Sequence, residues 1–310
     1  MRRIARELTS FHFDPDREPV AVVVPGEKFV IETEDAHCGS IVDESVVYSN
    51  LDEARAALGG ANPVTGPIAL DGLAAGSCMR VLIHHVEGAP GRGFGHMNTT
   101  RTLHRDLSAT TTLCHRDGDD VVLPNDRGPV RVPYRPMIGT LGVAPADGSM
   151  EAFGQRPDVL GNVDLPDLCA GAEVVLRANV GGGLLSMGDA HIAQGDAEIH
   201  RSAVEARADV IVSLEHSSPE VAEFVALPQI NSDTHLGSVA PGPGHLEDLI
   251  RAAYDDLAER LRRFHGFALG EAYRLLGAAG EVRIGQVVPP VFSALAKMER
   301  RYVEDVTVES

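Results

Sequence analysis

The segment Gly181-Gly182-Gly183-Leu184-Leu185-Ser186-Met187-Gly188-Asp189-Ala190-His191-Ile192-Ala193-Gln194-Gly195-Asp196-Ala197-Glu198 concentrates more potential chemistry than any other part of the chain. Asp189 and His191 are two apart, so an extended backbone turns both side chains to one side. Gln194, Asp196 and Glu198 repeat that alternation one step later. Ala190, Ala193, Gly195 and Ala197 fill the gaps and let a ligand approach the backbone closely. Carboxylates crowded around an imidazole repel one another unless a cation neutralises them. Asp, His and Glu donors without cysteine suit Zn²⁺ or another divalent ion in an open, catalytic site. The alternative is a polar turn between two strands, with its acids solvated.

Three other polar clusters accompany this one. In Gly161-Asn162-Val163-Asp164, Asn162 and Asp164 share a face of an extended chain. Thr33-Glu34-Asp35-Ala36-His37-Cys38-Gly39-Ser40 follows a strand-like run. Asn62-Pro63-Val64-Thr65-Gly66-Pro67 has side chains poorly suited to catalysis and reads as a shaped wall or turn. A Cys-His pair at His37-Cys38 is disfavoured, because adjacent residues of a strand point apart. His85 shares a face with Ile83 and Val81 and reads as a satisfied core or wall histidine rather than a third metal ligand. Arg92, Arg101 and Arg105 make segment 91–106 locally basic, as a solvated loop or a cover over the site.

The elements that position these groups are mostly strands. Val20–Val24, Phe29–Glu32, Met79–Val86, Val121–Leu123, Met137–Val143, Glu173–Arg177 and Val210–Leu214 are β-branched or alternating runs separated by Gly/Pro turns. Asp52–Leu58 is a short helix ending at Gly59-Gly60. Beyond Pro241-Gly242-Pro243-Gly244 the period changes. Leu246, Leu249, Ile250, Ala253, Leu257, Leu261 and Phe264 recur at helical spacing up to Gly266. A second helix fits Gly270–Leu276, stopped by Gly277, and Gln286–Pro290 reads as a last strand broken by proline. The expected fold is α+β and β-dominated, with a sandwich- or barrel-like core and a C-terminal helical segment. It reads as one domain over 1–310: β-rich 18–240, a helical appendix 245–277, and a final strand and tail 281–310.

Composition narrows the function. The formal charge is −18, from 27 basic and 45 acidic side chains, which disfavours nucleic acid and anionic membrane as partners. Only two lysines occur, Lys28 and Lys297, and neither sits in a setting that activates an amine. Any mechanism resting on a catalytic lysine would have to use one of these two, which disfavours such designs. Cys38, Cys78, Cys114 and Cys169 form no C-x-x-C pair, and no apolar run approaches the roughly 18 residues of a membrane span. The expectation is a cytoplasmic protein with free thiols.

With these motifs the chain resembles the acetamidase/formamidase family. The likeness rests on Asn62-Pro63-Val64-Thr65-Gly66-Pro67, on Pro136-Met137-Ile138-Gly139-Thr140-Leu141-Gly142-Val143-Ala144-Pro145, on Gly161-Asn162-Val163-Asp164 and above all on Leu184 to Glu198. It implies a β-rich fold with flanking helices, a divalent metal, and hydrolysis of R-CO-NH₂ to carboxylate and ammonia. Asp35, Asp164, Asp189, His191 and Glu198 match polar positions of the family's motifs and are expected around the metal, with Asn162, Gln194 and Asp196 toward the substrate. Glu198, with His191 beside it, is the expected catalytic pair. The ion would polarise the amide carbonyl and lower the pKa of a bound water from 15.7 toward about 7, and Glu198 would carry the proton. Zn²⁺ is the expected ion, with Ca²⁺ or another second ion as an addition, and a small neutral amide the expected partner within a homo-oligomer. Ser40, Leu160, Ala197, His37 and Cys38 depart from the family's usual residues and leave room for a related amide, linear or cyclic, in place of acetamide or formamide. A non-catalytic small-molecule or metal-binding relative is the alternative.

Overall fold

The computed structural model describes residues 1–89, 92–97, 107–287 and 290–304, without the side chains of Arg92, His96 and Met97. Any cover formed by Arg92, Arg101 and Arg105 therefore lies outside the described residues.

The β-branched runs assemble into two large sheets. The first has nine strands in the order Arg2–Ile4, Lys28–Thr33, Ala208–His216, Cys78–Gly88, Glu173–Arg177, Gln229–Asn231, His235–Pro243, Val291–Glu299 and Glu281–Ile284. All its pairings are antiparallel except the first. The second runs Val130–Pro133, Asp120–Leu123, Thr110–Asp117, Arg92–Met97, Val204–Ala206, Leu185–Ala193, Met137–Gly142, Leu160–Asn162 and Gln155–Arg156. Val64–Leu70 pairs with Leu185–Ala193 and carries Thr9–Ser10 and Ala21–Val23. One apolar cluster joins the two sheets: Phe29, Ile31, Val81, Ile83 and Val212 from the first, Ile138, Leu141, Leu185 and Met187 from the second. Both faces of the central strands are buried, so Leu185–Ala193 has no exposed residue. This is a sandwich-like, β-dominated core, and among the described residues neither sheet closes into a barrel.

The helical segment follows its periodicity. Leu246–His265 has Glu247 and Asp248 in its first turn, Arg262, Arg263 and His265 in its last, and Gly266 at φ 75° as its left-handed stop. Its buried face, Ala253, Leu257 and Leu261, packs on Leu236, Ala240, Ala296 and Met298 of the nine-stranded sheet.

Two boundaries differ from expectation. The next helix, Leu269–Ala279, runs through Gly277 and ends at Gly280, whose N–H bonds the Leu276 carbonyl. Leu276 is buried in the same cluster, and that packing outweighs the roughly 1 kcal/mol cost of an internal glycine. The last described strands, Glu281–Ile284 and Val291–Glu299, form a hairpin, and of the strand expected at Gln286–Pro290 the described residues Gln286, Val287 and Pro290 lie in no strand. Gly285 to Val287 belong to the connection between them, and Val288, Pro289 and the tail from 305 lie outside the described residues.

Candidate active site

The strand Leu185–Ala193 lies between Met137–Gly142 and Val204–Ala206, with Met137 opposite His191 and His191 opposite Glu205. Leu160–Asn162 pairs on the far side of Met137–Gly142, placing Asn162 opposite Thr140. Four strands thus carry polar side chains into one buried place, where Asp164, Asp189, His191, Glu198 and Glu205 are each at most 8% exposed.

The geometry is tightly specified. His191 Nε2 lies 3.0 Å from Glu205 Oε2 and 3.4 Å from Asp189 Oδ1. Asp189 Oδ2 accepts from Asn62 Nδ2 at 2.9 Å and lies 3.2 Å from the Thr140 hydroxyl. Asp164 Oδ2 accepts from Asn162 Nδ2 at 3.0 Å and from Gln286 Nε2 at 2.9 Å. Each aspartate thus has one oxygen tied back by amides. Gly139 makes this possible, because a Cβ there would overlap Asp164 Oδ1 and lie 2.8 Å from Asp189 Oδ2.

Backbone conformation is concentrated on the same residues. Asn62 (φ 51°), Asp164 (49°), Asp189 (57°) and Glu198 (39°) are four of the nine described non-glycine residues in the left-handed region. Such conformations cost about 1–3 kcal/mol each and survive where surrounding structure dictates them, as at functional sites.

The electrostatics fit a cation. Burial, then the neighbouring carboxylates, raise Asp164 well above the usual carboxylate range. Burial raises Glu198 to about 8 against the opposing pull of His191, and it raises Glu205 in the same way. Burial alone would lower His191, but Glu205 and Asp189 outweigh it and hold the imidazole well above its ordinary value. Asp164 Oδ1, His191 Nε2 and Glu205 Oε2 are buried and make no aligned hydrogen bond. Asp164, Asp189 and His191 present donor atoms within 4.8 Å of one another, as do His191, Glu198 and Glu205. Inward-facing carboxylate oxygens and one imidazole nitrogen, with no thiolate, are the donor set of a divalent cation.

A cavity of about 60 Å³ opens on this cluster, lined among others by His37, Asn62, Asn162, Asp189, Glu198 and Glu205. That is room for on the order of five water-sized groups. A larger cavity of about 590 Å³ lies beyond it, walled by Cys114, Val132, Ile199 and Val204, and among the described residues Glu198 is the one that lines both.

The residues expected from sequence are placed unequally. Asp164, Asp189, His191 and Glu198 are brought together, and Asn162 lines the small cavity beside them. Gln194 turns to His191, with Oε1 2.7 Å from Nδ1. Asp196 is not brought in. Its side chain is 61% exposed and paired with Arg283 at 3.2 Å. Asp35 joins neither donor group; its Oδ1 accepts the N–H groups of His37 and Gly39 at 3.0 Å. Burial raises its carboxyl, with those N–H groups opposing. The turn that it caps sets His37 against Tyr48 at 5.5 Å and Phe94 at 5.4 Å, on the cavity wall. Burial, aided by Asp35 and Glu34, pushes the Cys38 thiol up to about 11, which disfavours the thiolate that a nucleophile needs. His85 is 54% exposed, paired with Glu87, and stands away from the donor groups.

Sequence reasoning missed Glu205, Asn62, Thr140 and Gln286. For Glu205 a signal existed: a lone acid inside the apolar run Ala203-Val204-Glu205-Ala206 must face a partner. Asn62 was read as wall and Gln286 as strand; their roles depend on neighbours 127 and 122 residues away.

A sequence profile of the acetamidase/formamidase family matches residues 4–160 and 152–295. A solved acetamidase from Bacillus halodurans is 28% identical, with a TM-score of 0.88 over 99% of this chain and 100% of that one. An acetamidase from Yersinia enterocolitica is 26% identical, with a TM-score of 0.85 over 97% of this chain and 92% of the other. No curated protein sequence matches significantly. The chain belongs to the acetamidase/formamidase family and is an amidase of non-peptide C–N bonds.

Proposed function

We propose that the protein hydrolyses a small, neutral, linear carboxamide with the help of a divalent cation held by Asp164, Asp189 and His191. The observation that carries this reading is the buried cluster of four carboxylates around one imidazole, with inward-facing atoms that lack hydrogen-bond partners, beside a cavity of about 60 Å³. A divalent ion there supplies Lewis-acid polarisation of the amide carbonyl, and Zn²⁺ suits the mixed oxygen and nitrogen donors. The small volume favours amides of acetamide or formamide size.

The chain's own residues do the rest. Asn62, Asn162 and Gln286 hold the aspartates in fixed orientations, so the site is organised before substrate arrives. The cavity wall of His37, Asn162 and Phe153 confines the amide beside Glu198. A Glu198 carboxylate oxygen takes a proton from water as the water oxygen bonds to the carbonyl carbon. As the C–N bond breaks, the same carboxyl gives that proton to the departing nitrogen, leaving acid and ammonia.

The test is Glu198→Gln, assayed by ammonia release from acetamide and formamide with metal content measured in parallel. Metal is expected to stay, and turnover to fall by about a hundredfold or more. A variant turning over at the wild-type rate removes Glu198 from the mechanism.

A further inference from the structure

Gln194 lies at the edge of the cluster and contacts no inward-facing carboxylate oxygen among the described hydrogen bonds. Its side chain meets three partners: His191 Nδ1, 2.7 Å from Oε1, and the backbone carbonyls of Asp164 and Gly285, 2.6 and 3.4 Å from Nε2.

Two of those partners have one possible role. A backbone carbonyl only accepts, so the amide end facing Asp164 and Gly285 must be the NH₂ group. Flipping the amide would set oxygen against two carbonyl oxygens. The oxygen therefore faces His191, and an amide oxygen only accepts. It follows that Nδ1 carries a hydrogen, and the neutral ring keeps its lone pair on Nε2. That is the nitrogen 3.0 Å from Glu205 Oε2 and 3.4 Å from Asp189 Oδ1. A lone pair aimed at two carboxylate oxygens is a repulsive arrangement, which a cation between them turns into a ligand set.

We propose that Gln194 is a positioning residue for metal binding: anchored by the Asp164 and Gly285 carbonyls, it holds His191 as the Nδ1–H tautomer with Nε2 directed into the carboxylate cluster. This rests on the metal-dependent reading above and deepens it. Gln194 then acts through His191 rather than on the substrate. Asp164 contributes twice, by its side chain in the cluster and by its carbonyl on Gln194. The short segment between His191 and Gln194 also gains a reason, since the strand ends at Ala193 and the next residue can turn back on the ring.

Two measurements test it. In protein carrying ¹⁵N-labelled histidine, the His191 ring is expected to show a proton on Nδ1 in both the metal-free and the Zn²⁺-loaded form. A bare Nδ1 with the proton on Nε2 overturns the proposal. In competition with a chelator, Gln194→Met is expected to bind Zn²⁺ about 10–100-fold more weakly, the usual effect of losing such a partner. Gln194→Glu keeps an acceptor for Nδ1–H but sets a carboxylate oxygen against the Asp164 and Gly285 carbonyls, so it is expected to recover only part of that affinity. If Gln194 merely straps the backbone, Gln194→Glu falls as far as Gln194→Met, and the proposal fails. Wild-type affinity in Gln194→Met also refutes it. Should wild-type protein bind no Zn²⁺ at all, the metal reading fails, and the Nδ1 proton still decides the role of Gln194.

Discussion

Glu205→Gln separates a cation site from an ordinary buried ion-pair network, because the two make opposite forecasts. The substitution keeps shape and removes one negative charge. Glu205 Oε1 accepts from Ser202 Oγ at 3.1 Å and from the Ala203 N–H at 3.2 Å, while Oε2 faces His191. Across a separation of about 3 Å a unit charge is worth roughly 5–6 kcal/mol at an effective dielectric of about 20. If about half of that survives relaxation, Zn²⁺ affinity should fall by about a hundredfold. Metal-free protein should respond the other way. Burial raises the folded-state pKa of Glu205 above its unfolded value. Such a group contributes stability that is fully present below the unfolded pKa and is lost as pH rises through the folded pKa. The variant lacks that loss, so it should match wild type near pH 5 and melt above it at pH 8. Thermal melts of chelator-stripped protein at both pH values, with Zn²⁺ titrations at pH 8, read both effects. A stripped variant less stable than wild type at pH 8 would mean that Glu205 is chiefly the stabilising partner of a protonated His191, and the reasoning from crowded carboxylates would fail.

Other outcomes follow from the same geometry. Asp189→Ala and His191→Ala should each lose bound metal by elemental analysis while far-UV circular dichroism stays near native; undiminished metal in both would move the site elsewhere. Gly139→Ala forces a Cβ against Asp164 and Asp189, so it should cost about 1–3 kcal/mol of stability and weaken metal binding. Unchanged melting and metal affinity would show that the two carboxylates can move aside. Cys38→Ser should leave ammonia release within about twofold of wild type, because a thiol pushed to about 11 is not the nucleophile. Loss of turnover would reopen a thiol mechanism.

What the sequence revealed and what it hid divide along the distinction between local and long-range information. Asp189 and His191 were legible because they lie on one extended strand, where a spacing of two means a shared face. Asp196 followed the same alternation on paper, but the strand ends at Ala193, so period two no longer applies and the side chain reaches solvent and Arg283. Glu198 lies beyond that strand, with a left-handed backbone at φ 39°, and lines the small cavity. Glu205, Asn62 and Gln286 were hidden because only sheet pairing and the final hairpin connection bring them in. The helix Leu246–His265 needed no such help, since its apolar spacing and its glycine stop are both local. Asp35 was placed by family likeness; its carboxylate instead fixes the turn that carries His37.

The central claim is that amide hydrolysis here depends on a cation in the Asp164, Asp189, His191 cluster. Its most direct measurement is ammonia release from acetamide and formamide by protein stripped with chelator, before and after stoichiometric Zn²⁺ is restored, with metal content determined in each sample. The account predicts activity lost on stripping and regained with Zn²⁺. Undiminished turnover by protein shown to be metal-free would contradict it.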